Sequence, residues 1–132
     1  MKHCFTLVVS ISLLFFSTVN SSAQSSLTGS AIVTADMDLF LDVSSPLTST
    51  YNANISHLLF RGADDIEWLS WNLTNNYVTF TEDYINGNWV IELRLDAPDV
   101  MGWTVADWNV FFLDMKSHYQ RLYLDAINLS HP

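Results

Sequence analysis

The stretch Val78-Thr79-Phe80-Thr81-Glu82-Asp83-Tyr84-Ile85-Asn86-Gly87-Asn88-Trp89-Val90-Ile91-Glu92-Leu93 decides the reading of the fold. An Asn-Gly pair tolerates the positive φ angles of a tight hairpin turn, and the residues on either side alternate between apolar and polar. With Asn86-Gly87 as a two-residue turn, Tyr84 faces Trp89, Phe80 faces Leu93 and Val78 faces Leu95. The opposite face pairs Thr81 with Glu92, Thr79 with Arg94 and Tyr77 with Asp96. One apolar and one polar face describe an antiparallel sheet packed on one side. Glu82 opposite Ile91 is the misfit.

Working outward, residues 31–43 also alternate, with Val33, Ala35, Met37, Leu39, Leu41 and Val43 on one side. Thr34, Asp36, Asp38, Phe40 and Asp42 occupy the other, which reads as one half-buried strand. Residues 44–54 are rich in Ser, Thr and Asn, contain Pro46, and read as a loop. Residues 56–61 and 66–71 read as short strands around a Gly62-Ala63-Asp64-Asp65 turn. Residues 97–106, with Pro98 and Gly102, read as a long loop. Residues 108–114 and 119–128 read as the last two strands, joined through Met115-Lys116-Ser117-His118. Six or seven short strands and no helix predict an all-β fold, an antiparallel β-sandwich of immunoglobulin or fibronectin III type. An up-and-down barrel wants more strands than these.

Residues 1–23 read as a signal peptide. Lys2 and His3 precede an apolar run from Phe5 to Phe16, and Ser21 and Ala23 occupy the −3 and −1 positions of a cleavage site before Gln24. That run is shorter than the roughly 20 residues a spanning helix needs. The expected organisation is a signal peptide at 1–23, a flexible N-terminal segment at 24–30 and a single β-sandwich domain at 31–132. The expected location is secreted, periplasmic or cell-surface.

Cleavage removes the only cysteine, Cys4, so the mature domain rests on its core without a disulfide. It retains four basic residues (Arg61, Arg94, Lys116 and Arg121) against 14 acidic ones, a net charge of −10 over 109 residues. Such a balance argues against nucleic acid, whose phosphates require clustered Lys and Arg. Membrane insertion of the mature chain is not expected. The suitable partners are proteins or carbohydrates at the cell surface or outside the cell.

Few motifs carry chemistry. His57, His118 and His131 lack any H-x-x-x-H spacing, and no G-x-S-x-G elbow is present, so no catalytic residue is assigned. Asp64, Asp65 and Glu67 cluster at the expected turn and are candidate calcium ligands, because calcium gathers six to eight oxygens at loops. No other cofactor is implied. Trp103 follows Gly102 where no alternation places it inside, while Tyr119, Arg121 and Tyr123 share one face of the expected final strand. These four are the candidate ligand-binding residues, since exposed aromatics stack on sugar rings and anchor protein interfaces. Asn54, Asn72 and Asn128 begin N-x-S/T sequons, which are glycosylation acceptors if the source is a eukaryote.

Residues 59–71, Leu-Phe-Arg-Gly-Ala-Asp-Asp-Ile-Glu-Trp-Leu-Ser-Trp, are similar to a turn of bacterial Ig-like modules. Residues 87–97, Gly-Asn-Trp-Val-Ile-Glu-Leu-Arg-Leu-Asp-Ala, resemble one of their strands. Trp68-Leu69-Ser70-Trp71 departs from the family's W-S-x-W, and Asp96-Ala97-Pro98 from its D-A-x-G-N. The resemblance to these Ig-like and fibronectin III-like accessory modules of secreted or surface proteins implies a non-catalytic interaction or adhesion role. The alternatives are a small carbohydrate-binding module using exposed aromatics and a compact secreted enzyme.

Overall fold

The computed structural model describes residues 27–128. The signal-peptide reading and His131 lie outside these described residues. Five strands, β1 (Thr28–Val33), β2 (Leu39–Leu41), β3 (Thr50–Asn54), β4 (Val78–Asp83) and β5 (Asn88–Leu93), form one sheet in the order β2-β1-β3-β5-β4. Neighbours are antiparallel except β1 and β3, which run parallel. Among the described residues two helices, α1 (Ala63–Leu73) and α2 (Val105–Asn128), accompany the sheet. The mixed sheet and the helices overturn the expected all-β antiparallel sandwich and its immunoglobulin-like description.

The sheet buries one face. Ala31, Val33, Leu39, Leu41, Tyr51, Ala53, Val78, Phe80, Trp89, Ile91 and Leu93 join Ile66, Leu69 and Leu73 of α1 and Trp108, Phe112, Tyr119 and Tyr123 of α2 in one core. Their strand neighbours Ile32, Asn52, Thr79, Thr81 and Glu92 are exposed, so the helices cover one side and solvent the other.

Each misread segment has a local cause. The Asn86-Gly87 hairpin is present, but Asp83 pairs with Asn88 and the connection holds four residues, Tyr84 to Gly87. Within this connection only Gly87 takes positive φ (66°), and its N–H donates to the Tyr84 carbonyl at 3.2 Å. A slip of two residues leaves the faces unchanged, because side chains alternate with period two. Phe80 therefore meets Ile91 rather than Leu93, and Glu82 lies opposite Trp89.

Residues 31–43 form a hairpin rather than one strand. Met37 adopts φ 63°, and the Thr34 N–H donates to the Asp38 carbonyl at 2.9 Å, folding β2 back on β1. β1 itself starts at Thr28, within the segment read as a flexible lead. The region read as a polar loop contains β3, the middle strand: Tyr51, Ala53 and Ile55 point inward between exposed Asn52 and Asn54.

Residues 66–71 lie in α1, whose inward Ile66, Leu69, Ser70 and Leu73 keep helical spacing. The turn acids Asp64 and Asp65 fall in its first turn, where the helix dipole favours negative charge. Both terminal "strands" are one helix, α2. A Thr104–Asp107 capping box starts it: the Thr104 N–H donates to Asp107 Oδ2 at 2.8 Å, and the Asp107 N–H donates to Thr104 Oγ1 at 3.3 Å. Trp108, Phe112, Tyr119, Tyr123 and Ala126 are its buried stripe.

Candidate functional site

An open groove of about 810 Å³ runs between α1 and the outer strand β4. Helix spacing builds one wall. Because Ile66, Leu69, Ser70 and Leu73 face the core, Asp64, Glu67, Trp68 and Trp71 are left along the groove side. Trp71 is 82% exposed and Trp68 is half-buried against the core. The other wall is β4 itself, from Thr79 through Phe80 and Thr81 to Glu82.

The floor is rigid. Trp89, fully buried, donates from its indole Nε1–H to Ser70 Oγ at 2.8 Å, and the Ser70 hydroxyl donates to the Ile66 carbonyl at 2.7 Å. This chain joins β5 to α1 beneath the groove. Phe80 packs edge-on to Trp89 with ring centroids 5.5 Å apart.

The lining is acidic, with carboxylates from Asp64, Asp65, Glu67 and Glu82 against the single guanidinium of Arg61. Asp65 is committed to that guanidinium, with Arg61 Nε–H and Nη2–H each donating at 2.9 Å. The Arg61 backbone N–H also donates to Asp65, closing the start of α1. Hydrogen bonding to Asp65 raises the Arg61 pKa, keeping the pair charged.

The expected calcium ligands Asp64, Asp65 and Glu67 thus reach this groove from a helical turn, not a loop. Asp65 is buried and turned to Arg61, while Asp64 and Glu67 are exposed. Among the described residues, no three His, Cys, Asp or Glu side chains gather as a metal-holding group. On the first hairpin, Asp38 pairs with Lys116 at 2.9 Å, and Asp42 accepts hydrogen bonds from Ser44 and Ser45.

The aromatic stripe expected on a final strand is redistributed by the helix. Tyr119 and Tyr123, one turn apart on α2, are buried, and Arg121 points outward beside His118 (3.0 Å to Nδ1). The Tyr123 hydroxyl accepts the Leu59 N–H at 2.8 Å. Trp103 is half-buried, 5.1 Å from the Trp108 ring and 6.0 Å from that of Phe111. None of these four lines the groove, nor do His57 or His118.

Sequence reasoning missed Trp71, read there as a strand residue. The signal that finds it is the helical spacing of Ile66, Leu69 and Leu73, which leaves Trp71 no place inside. Among the described residues, no helix is long and apolar enough to cross a membrane. Comparisons with family models, characterised proteins and solved structures found no match to the chain.

Proposed function

We propose that the protein is a secreted, non-catalytic interaction module that takes its ligand in the groove between α1 and β4. The observation that carries this reading is Trp71, a large apolar side chain 82% exposed beside a groove of about 810 Å³. Tryptophan, with tyrosine and arginine, is enriched at binding hot spots. Secretion is supported by the n-region, apolar run and small-residue site of residues 1–23.

A carbohydrate ligand is the second reading. The Trp71 indole beside Asp64 and Glu67 offers a stacking face with nearby hydrogen-bond acceptors for sugar hydroxyls. Peptide and glycan arrays probed in parallel with wild type and Trp71→Ala test the site. Binders lost in Trp71→Ala, with the thermal midpoint unchanged, support it. Binders that persist undiminished place the ligand elsewhere and refute it.

A further inference from the structure

The two edges of the sheet are treated differently. At the β2 edge, Asn109 of α2 clamps the backbone: its Oδ1 accepts the Leu41 N–H at 2.7 Å, and its Nδ2–H donates to the Leu41 carbonyl at 3.1 Å. At Leu41 that edge is capped by a side chain imitating a strand.

The β4 edge is closed for half its length. The Arg94 N–H donates to the Tyr77 carbonyl at 2.8 Å, so alternation directs Thr79, Thr81 and Asp83 toward β5. Val78, Phe80 and Glu82 then direct their backbone groups away from the sheet. Asn75 takes both Val78 groups: its Oδ1 accepts the Val78 N–H at 3.0 Å, and its N–H donates to the Val78 carbonyl at 2.9 Å. Thr74 Oγ1 accepts the Phe80 N–H at 3.0 Å. Beyond that point the Phe80 carbonyl and both backbone groups of Glu82 pair with no strand among the described residues. This open stretch falls within the part of β4, Thr79 to Glu82, that lines the acidic groove together with Trp71.

We infer that the groove binds an extended, lysine- or arginine-bearing peptide segment, which adds to the open half of β4 as a sixth strand. The inference rests on the groove being the binding site and names its occupant. Strand addition supplies main-chain hydrogen bonds at an exposed edge, while pockets beside it read alternate side chains. Here Glu82 and the peptide exchange backbone bonds, Trp71 covers an apolar or cationic side chain, and Asp64 and Glu67 meet the basic ones. A second copy of this chain is disfavoured as occupant. Two β4 edges side by side would bring the copies' Glu82 and Asp83 carboxylates into neighbouring positions, where like charges repel.

The test is an arrayed random octapeptide library and a glycan array, probed with the purified protein at low salt. Enrichment of peptides with Lys or Arg at alternate positions is expected. N-methylation of the best peptide at every second amide should weaken binding at least tenfold in one register and little in the other. Glu82→Pro removes the outward N–H at an edge position where proline is tolerated, and should weaken binding well beyond Glu82→Gln, which removes only the carboxylate charge. The N-methyl series gives the answer without any change to the protein.

Indifference to N-methylation in both registers, equal binding of acidic peptides, or an empty peptide array overturns the inference. A glycan that shifts the Trp71 indole resonance while no peptide binds also overturns it and leaves the groove reading standing. If no ligand of either class reaches Trp71, both readings fail. Self-association abolished by Glu82→Pro assigns the edge to a second copy, and the inference is again wrong.

Discussion

Ser70→Ala isolates the contact that ties the sheet to α1. Ser70 and Trp89 are both buried, and the serine hydroxyl is the acceptor for the indole N–H at 2.8 Å. Alanine removes only an oxygen, so the change in packing is small. What remains is a fully buried N–H with no acceptor, which costs about 1–3 kcal/mol. For a domain near 100 residues each kcal/mol lowers Tm by roughly 4 °C, so a fall of about 4–12 °C is expected. Trp89→Phe removes the donor and loses ring packing of its own. In the double variant no N–H is left unpaired, so its loss should fall short of the sum of the two single losses by about 1 kcal/mol or more. Urea denaturation of the four proteins measures this. Losses additive to within roughly 0.5 kcal/mol would show that the bond contributes nothing and refute the reasoning.

Gly87→Val should destabilise by about 1–3 kcal/mol by thermal melting, because φ of 66° strains a β-branched residue and its Cβ would lie 3.2 Å from that of Ser56. Tyr119→Phe should leave stability unchanged or raise it, since the Tyr119 hydroxyl is buried without a hydrogen-bond partner among the described residues and burial pushes its pKa up. Asp107 is held below the usual carboxylate pKa by the Thr104 backbone N–H and hydroxyl, so its stabilising effect is present above about pH 4 and lost as pH falls through the lowered value. Asp107→Asn should therefore flatten the acid limb of stability measured between pH 2 and 6.

The strand faces were readable because burial on one side imposes period two wherever the chain is extended. The β4 and β5 residues facing the core follow from the quoted stretch alone, and a register error of two did not disturb them. The helices were missed for a physical reason: their aromatic and β-branched residues favour strands by local propensity, which tertiary packing overrides, and short windows of them also alternate. Trp108, Phe112, Tyr119 and Tyr123 separate the two only when followed across the whole of residues 104–128, together with the Thr104–Asp107 capping box. β3 was missed because its exposed side is asparagine, which reads as loop. The groove depends on those errors being undone. Asp64, Asp65 and Glu67 were noticed as a cluster, but Trp71 joins them only when α1 is a helix and β4 its neighbour.

The most direct measurement is an amide hydrogen-exchange footprint of the protein with and without its strongest array ligand. The account predicts protection confined to α1 near residues 64–71 and to β4 at residues 79–83, with the largest gain at the Glu82 amide. Protection that instead maps to α2, to the Trp103 cluster or to the exposed face of the sheet would contradict it.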